Sequence, residues 1–188
     1  MSKKIMLRNV RLSYEHIFTP SKFDENQDAK YSATFIIPKD HPDLLSIKRA
    51  MFDAGVESFA AEFSGNAWPR GFTCSLKDAD KDVNASGEIL AERNPAYEGC
   101  YILEANSTRR PVTLNRNKSA VTEDDGIIYA GCYVNASLAA AGYTYGKVKK
   151  GVKCYLNGVQ FVKDGERFGA DATSDFDSLD GDEDDFMA

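Results

Sequence analysis

A chain of 188 residues, 43% of them hydrophobic, is long enough for one domain with a single core. No stretch approaches the ~18 apolar residues of a membrane span, and residues 1–8 hold no apolar run of secretory length, so neither a span nor export is expected. The net charge of −6 hides a division: eight of the 29 acids and none of the 23 bases fall in residues 171–188, leaving +2 for residues 1–170.

Taken in chain order, residues 5–14 read as a strand, with Val10, Leu12 and Tyr14 alternating against Asn9, Arg11 and Ser13. Residues 15–29 are polar and read as a loop. Residues 30–37 give a second strand ended by Pro38, with Tyr31, Ala33, Phe35 and Ile37 on one face. Asp40-His41-Pro42 predicts a helix start, Asp40 capping the free amides and Pro42 sitting in the first turn. Leu44, Ile47, Met51, Ala54, Phe59 and Phe63 then extend the predicted helix over 41–63. Phe72, Cys74 and Leu76 alternate in a short third strand, 77–96 reads as loop, and 99–107 as a fourth strand. Val112-Thr113-Leu114 is a short apolar piece after Arg109-Arg110-Pro111.

Residues 127–138 divide into a core face of Ile128, Ala130, Cys132, Val134, Ala136 and Leu138 and an outer face of Tyr129, Gly131, Tyr133, Asn135 and Ser137. The glycine predicts open space above the sheet between the two tyrosines. A hairpin with a basic, aromatic tip follows, from Tyr143 and Tyr145 to Lys147, Lys149 and Lys150. In the last strand, 152–162, Val152, Cys154 and Leu156 point inward and Lys153 and Tyr155 outward, with a bulge expected at Gly158. The fold expected is mainly β: a partly closed antiparallel barrel with one packed helix over residues 1–170, followed by a disordered acidic tail over 171–188.

Catalytic chemistry has little to work with. The two histidines, His16 and His41, are not part of a nucleophile or metal motif, and no phosphate-binding glycine loop occurs. Asp78-Ala-Asp80-Lys-Asp82-Val-Asn84 starts like a calcium loop but has Val83 where the turn glycine belongs and Ile89 where the bidentate glutamate belongs. The acidic clusters at 78–82 and 123–125 read as solvated loop charge rather than a magnesium site. Cys74, Cys100, Cys132 and Cys154 contain no C-x-x-C pair and read as free thiols. No metal and no cofactor is expected, and the chain is not expected to be an enzyme.

Single-strand nucleic-acid binding asks for cations that track phosphates and exposed rings that stack bases. Arg109, Arg110, Arg116, Lys118, Lys147, Lys149, Lys150 and Lys153 supply the first, and Tyr129, Tyr133, Tyr143, Tyr145 and Tyr155 the second. Cross-strand packing is the competing role for the rings, above all at the hairpin tip. In the tail, Asp182-Glu183-Asp184-Asp185-Phe186 sets an apolar residue at the end of a charged tether, the form of a docking element for partner proteins.

Tyr97-Glu-Gly99-Cys-Tyr101, Tyr129-Ala-Gly131-Cys-Tyr133-Val-Asn135-Ala-Ser137, Lys150-Gly151 through Asn157-Gly-Val-Gln160 and Asp164-Gly165-Glu166, with the Asp-Asp-Phe ending, resemble the single-stranded-DNA-binding proteins of tailed phages. The resemblance runs from about residue 5 to 188 and is densest over 97–169. It implies an OB-fold, binding without sequence specificity during phage DNA replication and recombination in the host cytoplasm, and a tail that recruits replication proteins. A single-strand annealing protein is the neighbouring alternative. An acidic DNA mimic and a metal-dependent nuclease are alternatives of other classes. A mimic should spread its acids over the folded surface, whereas here they gather in the tail. Nothing in the residues decides between a monomer and a homo-oligomer.

Overall fold

The computed structural model describes residues 2–168, and the tail residues Asp182, Glu183, Asp184, Asp185 and Phe186 lie outside them. Strands β1 (Lys3–Ser21), β2 (Lys30–Pro38), β5 (Cys100–Ser107), β7 (Tyr133–Tyr145) and β8 (Lys149–Lys163) form the barrel wall. Neighbours around the wall are β1–β2–β5–β8–β7, and β7 returns to β1. The barrel is therefore closed, not merely partly closed. Closure rests on a short parallel pairing, Ala105 with Cys154 and Asn106 with Tyr155, where every other wall contact is antiparallel. Where β5 and β8 splay, β3 (Thr73–Cys74) pairs with β8 and β4 (Leu76–Asp78) with β5. Strand β6 (Val112–Leu114) runs parallel to β8 further along.

Alternation fills the interior as hydropathy predicts except in β1, where a register shift between Leu12 and Tyr14 buries Ser13 and turns Tyr14 outward, against the faces expected for them. Leu7, Val10, Leu12, Phe35, Ile37, Leu103, Val134, Leu138, Val152, Cys154 and Leu156 are all buried. Helix α1 (Leu44–Ser58) closes one end with Leu44, Ile47, Met51 and Ala54, each large side chain contributing about 1.5–3 kcal/mol. It is shorter than the 41–63 expected. Phe59 and Phe63 lie beyond it, in an edge-to-face cluster with Phe52, Trp68 and Phe72. Asp40 does not cap it; Asp43 stands at the N-cap without a side-chain bond. His41 organises the approach instead, its Nε2 donating to the Arg8 carbonyl at 2.8 Å and its Nδ1 accepting from the Asp43 amide at 3.1 Å.

A second apolar cluster of Ile36, Ala79, Tyr97, Cys100 and Ile102 lies outside the barrel, under residues 79–97. This segment, expected to be loop, contains α2 (Leu90–Arg93) and a 3₁₀ turn at Pro95–Tyr97. The calcium-like acids serve it. Asp78 and Asp80 hold the Lys39 ammonium at 3.1 and 2.6 Å, and Asp80 also accepts from the Gly99 amide. Asp80, with Asp78, pushes the Lys39 pKa up to about 12. All four cysteines are free thiols, Cys74 half-buried and the others buried.

Candidate nucleic-acid interface

Strand β8 is the spine of the candidate site. Its outer face presents Lys149, Gly151, Lys153 and Tyr155 in alternation. The bulge between Leu156 and Gly158 then resets the phase, and Gln160 and Lys163 follow. At ~3.3 Å per residue, Lys149 to Lys163 spans about 46 Å along the coiled strand.

At the hairpin end, Lys153 Nζ lies 5.4 Å from the Tyr143 ring centre and 4.9 Å from that of Tyr155. Tyr143 lies across from Gly151. A β-carbon at Gly151 would run into the Thr73 side chain and carbonyl first and then the Tyr143 ring at 2.9 Å, so the glycine is what leaves room for β3 and that ring to come together over the strand. The Tyr143 hydroxyl is hydrogen-bonded to Thr73 Oγ1, which fixes the ring further. Tyr155 is 38% exposed and Tyr145, at the tip, 72%. Lys147 and Lys149 flank the tip and are exposed.

Arg109 and Arg110 enter the row through a mismatch in pairing. Asn106 is level with Tyr155 and Val112 with Gly158. Residues 107–111 must therefore occupy the space of 156–157, and the chain buckles outward beside Tyr155 with both arginines exposed. Further along, Gln160 Nε2 donates to the Asn115 and Arg116 carbonyls at 3.4 Å, drawing the loop of Arg116 and Lys118 to the same strand. At the far end Lys163 Nζ lies 4.7 Å over the Tyr133 ring. Among the described residues, Lys147, Lys149, Lys153, Arg109, Arg110, Arg116 and Lys118 form no ion pair.

Two candidates fall outside the row. Lys150 points to the α1 side of the strand, where it is bound to Glu62 and lies 5.4 Å from the Phe59 ring; its hydrogen bond holds the Glu62 carboxyl below the usual range. Tyr129 is not on a strand at all, since β7 begins at Tyr133. Its hydroxyl donates to Asp164 Oδ1 at 2.8 Å and accepts from the Gly165 amide at 3.1 Å, and Arg167 covers its ring at 4.0 Å. Burial raises the phenol pKa more than the Gly165 bond lowers it. The space expected above Gly131 is filled: at φ 111°, a β-carbon there would stand 2.0 Å from the Glu166 carbonyl oxygen. Residues 164–168 thus form a strap over Gly131, and Arg11 ties it down, donating to the Glu166 carbonyl at 2.7 Å and the Gly131 carbonyl at 3.2 Å, with its guanidinium 4.2 Å from the Phe168 ring.

The structure also groups residues that sequence reading passed over. Register around the barrel sets His16, Ser32, Asn106, Tyr155, Ala139 and Lys4 on one outward rung. Tyr14, 63% exposed, stands beside it opposite Thr34. The polar run 15–29 hid this, because His16 belongs to a strand that continues to Ser21. Lys163 over Tyr133 had no local signal, since it depends on pairing between residues thirty apart.

Comparison with known proteins gives the same architecture. Residues 3–187 match the profile of the ssDNA-binding protein of Enterobacter phage Enc34. Protein p50 of Acyrthosiphon pisum secondary endosymbiont phage 1 is 34% identical, with 94% of each chain covered. Among solved structures, the single-stranded DNA-binding protein from bacteriophage Enc34 in complex with ssDNA superposes with a TM-score of 0.72 at 25% identity, covering 89% of this chain and 90% of that one. The single-stranded DNA-binding protein gp2.5 encoded by bacteriophage T7 shares the fold, with a TM-score of 0.62 at 15% identity over 96% and 98% of the two chains. With its profile matched over nearly its whole length, the chain belongs to the Enc34 phage ssDNA-binding protein family.

Proposed function

We propose that this protein binds single-stranded DNA without sequence specificity along the outer face of β7 and β8. Tyr143, Tyr155, Tyr145 and Tyr133 stack bases, and Lys147, Lys149, Lys153, Arg109, Arg110, Arg116 and Lys118 take phosphates. The observation that carries this reading is Lys153 set between two tyrosine rings, in line with a row of cations free of ion pairs among the described residues. Every base has a π-face, so stacking of this kind holds a strand without reading it. Tyr129 and Lys150 are left out, because the fold already uses them. The protein is a binding protein and not an enzyme, acting in phage DNA replication and recombination in the host cytoplasm.

The tail, 171–188, competes with DNA for the row and is displaced when a strand binds, freeing Phe186 to dock on a replication or recombination protein. Deleting 171–188 should raise affinity for single strands, most at low salt, where screening is weakest. Equal affinities of the full-length and truncated proteins at low salt would reduce the tail to a solubilising appendage. Phe186→Ala should abolish partner capture with DNA affinity nearly unchanged. Incubation with labelled single-stranded and duplex DNA, with and without magnesium, tests the function itself. Retarded, uncut single strands are expected. Cleavage would support a nuclease, and no interaction would support a DNA mimic.

A further inference from the structure

A groove of about 1170 Å³ lies between α1 and the 66–83 segment, beyond the β8 row. Phe52, Trp68, Phe72 and Tyr101 supply aromatic lining, and Lys48 and Lys77 line it as well. Tyr143 belongs to both surfaces: its ring faces Lys153 on the row and also lines the groove. Inside the groove Lys48 Nζ lies 4.2 Å over the Tyr101 ring, the same pairing of a lysine ammonium with a tyrosine face that recurs at Tyr155 and Tyr133.

We propose that this groove is a second seat for the same single strand, taking a base on Tyr101 and the adjoining phosphate on Lys48 and Lys77. The proposal rests on the reading of the β8 row as the DNA face, because Tyr143 is where a strand would pass from one surface to the other. Lys48 is an exposed lysine on a four-carbon stem, so it can leave the ring to a base and follow the phosphate. Three carboxylates also line the groove. Asp53 faces Arg49 at 3.9 Å and Asp82 accepts from the Asp78 amide at 2.6 Å. Glu104 forms no ion pair among the described residues, and its repulsion assigns the phosphates to the Lys48 and Lys77 side.

Trp68 is the chain's one tryptophan, and it is held in the groove wall by its Nε1 bond to the Phe72 carbonyl. Its emission therefore reports on the groove. The test is saturation of the full-length protein with an oligothymidylate of about 20 nucleotides, longer than the ~4–16 an OB-fold covers. Binding is followed separately by anisotropy of a labelled strand. A quench or shift of Trp68 emission at saturation is expected. Tyr101→Ala should weaken binding about five-fold or more and shrink the emission change, measured well below its melting temperature because the half-buried ring also packs against the core. Should Tyr101→Ala fail to fold, exposed Lys48→Gln decides: a salt slope shallower by about 0.7 supports the seat, and an unchanged slope contradicts it. Tyr155→Ala should weaken binding but leave the emission change at saturation intact. DNA bound by anisotropy with Trp68 emission unchanged overturns the groove and leaves the row standing. No binding at all overturns both. If deleting 171–188 alone changes the emission and DNA adds nothing afterwards, the groove belongs to the tail and the proposal falls.

Discussion

The two ends of the β7–β8 ribbon carry similar residues in dissimilar states. At the hairpin end, Lys153 rests on Tyr143 and Tyr155, and the cation has no carboxylate partner among the described residues. At the corner before β7, Arg167 rests on Tyr129, yet that hydroxyl is tied to Asp164 and Gly165 and the strap is pinned by Arg11. A cation over a tyrosine is therefore not by itself a DNA site. What separates the two is how far the groups are already used. Among the described residues Lys153 and Tyr155 form no side-chain hydrogen bond or ion pair, and Tyr143 is held only at its hydroxyl by Thr73, so their ring faces and the ammonium can take a base and a phosphate. The second pair would have to break the bonds that hold the 164–168 strap.

Gly131→Ala should have the largest effect. It places a β-carbon against the Glu166 carbonyl at a φ that disfavours L side chains, and should cost about 3 kcal/mol or more of stability. Thermal melting checks this, and the protein that remains folded should bind DNA normally. An unchanged melt would mean that the strap is not locked on the barrel.

The next contrast sets Tyr155→Ala against Tyr129→Ala. The first should lose roughly 1–3 kcal/mol of single-strand affinity with its melt intact. The second should lose stability, about 1 kcal/mol for its hydrogen bonds and more for packing, with affinity unchanged. Titration and melting of both variants would show whether the two tyrosines exchange roles, which would invert the comparison.

A smaller effect separates Lys153→Gln from Lys150→Gln. Each phosphate contact adds about 0.7 to the slope of affinity against salt, so the first should flatten the slope by about that much. The second breaks an ion pair with Glu62 and should leave the slope alone. Equal slopes for the two variants would place Lys150 among the DNA contacts.

Much of the fold was legible because strand alternation is local. Val134, Ala136, Leu138, Val152, Cys154 and Leu156 go inward as their spacing says, and the bulge expected at Gly158 falls one residue before it, at Asn157. The helical period runs past the helix end because Phe59 and Phe63 keep helical spacing while packing in an aromatic cluster past Ser58. The candidate site was legible in its residue types and not in its grouping. Arg109 and Arg110 are brought to β8 only through the mismatch between the two parallel pairings that β5 and β6 make with it. The alternation of β7 extended backward predicts an outward Tyr129, but the chain turns at Gly131 and a strap from 164–168 covers that stretch. Nothing local to Tyr129 announces a contact thirty-five residues away.

The most direct test of the account is where the strand lies. Ultraviolet cross-linking of single-stranded DNA to the full-length protein, followed by mass mapping of the cross-linked peptides, reads this without any variant. Cross-links should concentrate on the β7–β8 hairpin at Tyr143 and Tyr155 and on the 107–111 loop, with none at Tyr129. Cross-links confined to residues 127–132 and 164–168, with the hairpin unmarked, would contradict it.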